Sequence, residues 1–239
     1  MTSLEGKLAV VTGGTRSIGR AIVEALLARG ASVIGTGTKP AGEVPKGCRY
    51  HCLKLEDRQS VEQFCGVIEK EAPHILVNNA GVSSPATAEE LRMDDVERLH
   101  EINLIAPLRL CQAAVKGMKR HGWGRIVNLT AVSGIFGRKA RANYGSSKAA
   151  LDGMTASLAA EYGADGILAN CVAPGFIETD VLRSLYSAEQ LKALADLVPT
   201  KRLGTAEEIA SLVAWLCGPE NGYVTGQNIV IDGGFGRVR

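Results

Sequence analysis

The 239-residue chain contains no apolar run of about 18 residues, so no segment of it is expected to cross a membrane as a helix. Its opening, MTSLEGKLAVV, lacks the basic start and long apolar stretch of a secretory signal, which makes the cytoplasm the expected compartment. The six cysteines, at 48, 52, 65, 111, 171 and 217, include no CxxC pair and read as reduced, mostly buried small hydrophobes. No metal site is expected. Nor is there an excess of charge: 27 basic and 25 acidic residues are interspersed, which offers nothing to nucleic acid or an anionic membrane. Internal repeats, low-complexity tracts and Pro/Gly/Ser linkers are also missing, so residues 1–239 are expected to form one domain.

What is present is a regular alternation. Short β-rich runs (KLAVVTG, ASVIGTG, YHCLKL, HILVNNAG, GRIVNLT, ILANCVAPG and QNIVIDGG) are separated by helical patterns. They are apolar on both faces, as a sheet covered by helices on both sides requires. The expected fold is therefore α/β: a Rossmann-like, doubly wound parallel sheet of about seven strands. The least regular stretch, residues 174–204, begins as a loop at the carboxyl end of a strand. A substrate lid is expected within 176–204.

Four stretches carry chemistry. In VVTGGTRSIGRAIVEALLARG a glycine-bearing turn joins a strand to an amphipathic helix. Gly13 allows the tight turn, Gly19 allows close helix packing, and the helix N-terminus offers free N–H groups to a pyrophosphate. The second strand ends GTGTKP, with no acid to hold a ribose hydroxyl. Arg16, Thr38 and Lys39 suit a 2′-phosphate instead, which favours NADP(H) over NAD. In ILVNNAG, Asn78 and Asn79 either cap a strand or bridge strands beside the cofactor ribose. Asn103 lies in the apolar face formed by Val96, Leu99, Ala106 and Leu110, where a buried amide either pins the helix or holds a water. Tyr144 and Lys148 stand one helical turn apart, so the ammonium could stabilise a phenolate.

These motifs in this order resemble the short-chain dehydrogenase/reductase family, in the branch of the 3-oxoacyl-(acyl carrier protein) reductases. TGGTRSIG, NNAG, INLIAP, ANYGSSKAAL, NCVAPGFIETD and VTGQNIVIDGG carry the resemblance, which covers nearly the whole chain. It implies a ketoreductase in which Tyr144 donates a proton to a carbonyl. Lys148 lowers the tyrosine pKa and holds the nicotinamide ribose, and Asn103 anchors a relay water. The resemblance also places Thr15, Ser17, Ile18, Ala80 and Gly81 at the cofactor, and sets Pro174, Gly175, Ile177 and Thr179 along its nicotinamide and pyrophosphate.

Two positions depart from the family pattern. Ser17 occupies the middle glycine of TGxxxGxG, which puts a side chain where a phosphate approaches. Ala131 occupies the position of the catalytic serine, thirteen residues before the tyrosine. Losing one oxyanion donor costs roughly 10²- to 10³-fold in rate. Ala131 admits three readings: a change introduced to trap a complex, a natural alanine with Thr130 or Ser133 supplying a hydroxyl, or a chain that has given up reduction and serves as a binding subunit. Alternation turns Thr130 to the opposite strand face, which leaves Ser133 as the better substitute.

The expected substrate is a 3-oxoacyl thioester or related ketone, free or carrier-bound. Gly122 and Asp165 stand where carrier-dependent relatives present arginines, while Arg138, Lys139 and Arg141 offer a different basic group before Tyr144. Small residues at Ala149, Gly153, Ala156 and Ala160 share one side of the Tyr144 helix. By resemblance, a homotetramer, or a homodimer, is expected.

Overall fold

The computed structural model describes residues 3–237, so the two residues at each end of the expected 1–239 domain lie outside the described residues. Strands and helices alternate over most of the chain as the sequence pattern implies, except that no helix separates the second and third strands. Strand β1 (Leu8–Val11) turns into α1 (Ser17–Ala28), followed by β2 (Ser32–Gly37), β3 (Cys48–Cys52), α2 (Arg58–Glu71) and β4 (Ile75–Asn78). Helix α3 (Met93–His100) runs through a π-helical turn, Glu101–Ile105, into α4 (Ala106–His121). After β5 (Gly124–Leu129) come a 3₁₀ turn (Val132–Gly134), the 21-residue α5 (Ala142–Tyr162) and β6 (Ile167–Pro174). The chain closes with α6 (Asp180–Leu185), α7 (Ala188–Leu197), α8 (Ala206–Leu216) and β7 (Asn228–Ile231).

All seven strands are parallel, in the order β3-β2-β1-β4-β5-β6-β7. The order reverses between β1 and β4, so the crevice at their carboxyl ends is the topological switch point where ligands bind in open sheets. Side-chain alternation splits the core in two. Ala9, Val11, Val33 and Val77 pack with Ile22 and Leu26 of α1 and Val213 of α8. Val10, Ile34, Leu76 and Ile126 pack on the other face with Phe64 of α2, Leu110 of α4 and Leu158 of α5. Burying both faces of strands this apolar is the main drive for the fold, at about 25 cal/mol per Å² of apolar surface.

The structure corrects three expectations. The third strand is Cys48–Cys52 and not YHCLKL, and it is neither apolar on both faces nor buried, because it forms the sheet edge. Half of the cysteines are not core: Cys48 and Cys52 on that edge strand and Cys65 on α2 are partly exposed, while Cys111, Cys171 and Cys217 are buried. The 174–204 excursion is more regular than expected, since it contains α6 and α7. A parallel bridge between Ile177 and Gly204 closes its base. There Gly204 N donates to Phe176 O at 2.9 Å and Glu178 N to Gly204 O at 2.8 Å.

Candidate active site

The glycine turn after β1 is tied to its neighbours by two threonines. Thr12 Oγ1 accepts from the backbone N–H of Asn79 and Ala80, both at 3.0 Å, which locks the end of β1 to the end of β4. Asn79 Nδ2 returns a bond to Thr12 O at 2.9 Å, and Gly13 N donates to Thr36 Oγ1 at 3.2 Å. Neither threonine was singled out from the sequence. Their signal was a hydroxyl at the last apolar position of a strand, where burial demands a partner. A Cβ on Gly19 would sit 2.0 Å from Gly13 O and 2.5 Å from Asn79 Nδ2, so the close packing expected of that glycine is real.

Helix α1 begins at Ser17, whose φ of 48° is left-handed, an arrangement that favours the glycine of the family pattern. Arg16 caps the helix by position but gives no side-chain hydrogen bond, and no acid occupies the first turn. The free N–H groups there thus lack a side-chain acceptor. Ser17 Oγ is itself buried without a partner. A phosphate group at this helix end would satisfy both, so the residues fit a dinucleotide. Ser17 and Thr179 line the same cavity of about 470 Å³, together with Arg20, Arg183 and Thr205. Thr15 lies against Gly37, where a Cβ would meet its methyl at 2.8 Å. Ile18 packs against the core, and Arg16, Thr38 and Lys39 are exposed at the turn and the end of β2. Ile177 is buried, Pro174 ends β6, and Gly175 follows it beside Asp232.

Asn78 bridges strands as one reading of the sequence required: its Nδ2 donates to Asn128 Oδ1 on β5 at 2.9 Å. The network continues from Asn128 Nδ2 to Thr155 Oγ1 of α5 at 2.8 Å, which fixes α5 against the sheet.

Asn103 lies in the π-helical turn rather than in a regular helix. The extra residue per turn aims its amide inward. Oδ1 accepts from Val82 N and Nδ2 donates to Val82 O, both at 2.9 Å. Nδ2 also donates to Ser147 Oγ at 3.1 Å, and Ser147 Oγ donates to Tyr144 O at 2.8 Å. Ser147 is a second contributor that sequence reasoning missed, although its place three residues after Tyr144 sets it on that helix face. A Cβ on Gly81 would fall 3.0 Å from Asn103 Oδ1 and 3.3 Å from Lys148 Nζ, so Gly81, Asn103 and Lys148 meet at one point.

Lys148 is buried, its Nζ donating to Leu129 O at 2.7 Å and lying 5.8 Å from the centroid of the Tyr144 ring. Burial lowers its pKa to about 8, which leaves it cationic at neutral pH. Burial also pushes the Tyr144 phenol above its usual value, and the opposing pull comes from Arg141. The net direction is upward, so the lowering expected of Lys148 is not seen here. Ala131 is buried at the end of β5, directly before the 3₁₀ turn. The neighbouring Thr130 has no free hydroxyl to offer, since its Oγ1 is committed to Val172 O at 3.1 Å and Asn228 Oδ1 at 2.9 Å. Ser133 lines a separate cavity with Gly145 and Ser146.

A family model described as Enoyl-(Acyl carrier protein) reductase matches residues 13–236. The chain belongs to the short-chain dehydrogenase/reductase family. Within this family it is 39% identical to the 3-oxoacyl-(acyl-carrier-protein) reductase FabG of Vibrio cholerae, over 98% of both chains. It is 41% identical to the FabG of Salmonella typhimurium and 40% to that of Escherichia coli, again over 98% of each. A solved short chain dehydrogenase/reductase family protein superposes with a TM-score of 0.89 at 35% identity, covering 98% of this chain and 99% of the other. A crystal structure from Beutenbergia cavernae, described as an NAD(P) dependent gluconate 5-dehydrogenase with NADP bound at low occupancy, gives a TM-score of 0.90 at 29% identity over 98% of each chain.

Proposed function

We propose that this chain is a single-domain, NADPH-dependent ketoreductase, with a lid at 176–204, that reduces a 3-oxoacyl thioester or related ketone at a rate held down by Ala131. The observation that carries this reading is the meeting of Asn103, Lys148 and Gly81 beside Tyr144 at the switch point of the sheet. The bound nicotinamide supplies the hydride. Tyr144 keeps its proton at Oη because burial disfavours the phenolate, and delivers it to the carbonyl oxygen as charge develops there. Lys148 stands as a fixed cation on Leu129 O. The Asn103 amide and Ser147 hold the first turn of α5 to the chain that follows β4. Ala131 offers the substrate oxygen no donor, which removes about 2.7–4 kcal/mol of transition-state stabilisation.

NADPH is the preferred form, supported by Arg16, Thr38 and Lys39 and by the lack of an acid in the GTGTKP segment. It should bind at least tenfold more tightly than NADH, about 1.4 kcal/mol, and equal dissociation constants in titration calorimetry would refute this. The ketone is free or carrier-bound. A carrier would not meet arginines at the places where relatives present them, because Gly122 is an exposed helix cap and Asp165 pairs with Lys119 at 3.1 Å. We assign the protein to the cytoplasm and to a homotetramer. In the direct assay with acetoacetyl-CoA, the Ala131 protein should consume NADPH slowly and its Tyr144→Phe variant should not; equal rates in the two would overturn the reductase reading. Ala131 itself favours a second reading, a cofactor-binding subunit without turnover, which requires NADPH to bind while no ketone is reduced even after serine is restored.

A further inference from the structure

The loop between the 3₁₀ turn and α5 carries two arginines, Arg138 and Arg141, of which the second also acts on the Tyr144 phenol. Arg138 lies over the Phe176 ring, 4.7 Å from its centroid. Phe176 meets Phe235 edge-on at 4.9 Å, and Phe136 meets Phe235 at 5.9 Å. The Arg138 guanidinium therefore rests on a ring that is itself braced by Phe235 and, through it, by Phe136. Arg141, the N-cap of α5, donates from Nη1 to Ser83 Oγ at 2.6 Å and is thereby tied to the chain after β4. Both arginines line a cavity of about 420 Å³ that also touches Ser133, Phe136 and Gly145, within the turn of α5 that presents Tyr144.

Among the described residues, neither guanidinium has a carboxylate within ion-pairing distance, whereas Arg29, Arg49, Arg98 and Arg202 each do. Burial, and then repulsion from Arg141, disfavour the charge on Arg138. Two like charges held together at a concave, partly desolvated surface are costly until an anion enters between them. A guanidinium fixed by stacking keeps its donor edge free, and that edge matches carboxylate and phosphate oxygens. The exposed Lys139 between them adds to the field but has no fixed seat.

We infer that Arg138 and Arg141 form an anion-binding site beside Tyr144 that takes a phosphate or carboxylate carried by the ketone substrate. The inference rests on the reductase reading of the adjoining cleft. It names the substrate class of that cleft: ketones bearing an anionic group, either on the acyl chain or on its thioester carrier.

The test is binding to the NADP⁺-saturated protein, in which the cofactor phosphates are already seated and no turnover occurs. Four probes form two pairs: acetoacetyl-CoA against its neutral N-acetylcysteamine thioester, and acetoacetate against its methyl ester. Arg138→Gln and Arg141→Gln should each weaken the anionic member of at least one pair tenfold or more, and change its neutral partner less than twofold. Raising salt from about 50 to 200 mM should weaken the same probe, since a partly exposed charge pair is screened over roughly 10 Å. A loss confined to acetoacetyl-CoA places the anion on the carrier, and a loss confined to acetoacetate places it on the substrate; both support the site. If both substitutions leave all four affinities unchanged, or weaken charged and neutral probes alike, the site is refuted. Arginine-dependent binding alongside a complete lack of ketone reduction, even with serine restored, would overturn the reductase reading while leaving the anion site standing.

Discussion

Asn103 could be recognised in the sequence because an amide in an apolar helix face needs a partner, and Tyr144 and Lys148 by their spacing of one helical turn together with the family resemblance. What each one touches was less legible. The pull of Arg141 on Tyr144 depends on the path of the 135–141 loop, and the bond from Ser147 to Asn103 depends on a π-helical turn. Neither follows from helical spacing. A similar dependence on context appears at His74, at the opposite end of the sheet from the site. His74 stacks on His121 at 4.1 Å, and its Nδ1 accepts from Leu8 N at 3.3 Å. Burial first, and then the nearby His121 and Lys7, lower its pKa from 6.5 to about 4. The folded ring thus stays neutral over a range in which the unfolded ring takes up a proton. Its contribution to stability is complete above pH 6.5 and falls away as pH drops towards 4. An NMR titration should find the His74 midpoint well below 5.5, and a midpoint near 6.5 would contradict the packing described.

The elements most legible in the sequence were the central strands, whose continuous apolar runs can be satisfied only with both faces covered. The edge strand CRYHC was misplaced by two residues because one exposed flank removes that constraint. Helix α7 was missed although SAEQ is a capping-box sequence, and the structure forms that box between Ser187 and Gln190. At α1 the departure from the family pattern has a measurable consequence. Ser17 holds a left-handed conformation and an unpartnered hydroxyl, both of which glycine would relieve. Ser17→Gly should therefore stabilise the cofactor-free protein by about 1 kcal/mol in urea unfolding, and loss of stability would show that Ser17 is not strained. At α8, Thr205 accepts from Glu208 N while Glu208 accepts from Thr205 N. Thr205→Ala should cost about 1 kcal/mol in the same measurement, and an unchanged unfolding midpoint would refute the cap.

For the molecule as a whole, α5 has one buried side and one exposed side of small residues. Lys148, Leu151 and Thr155 face inward, while Ala149, Gly153, Ala156 and Ala160 are exposed. Small exposed side chains let a second helix approach closely, so light scattering at micromolar concentration should give a tetramer; a monomer would contradict that assembly. The central claim is that this framework lacks one hydroxyl and is otherwise a working reductase. It is tested most directly by the turnover of a 3-oxoacyl thioester with NADPH in the Ala131→Ser variant. The rate should rise by roughly two to three powers of ten and should be lost again when Tyr144→Phe is added. A change of no more than twofold with every carbonyl tested, while NADPH still binds, would contradict the claim.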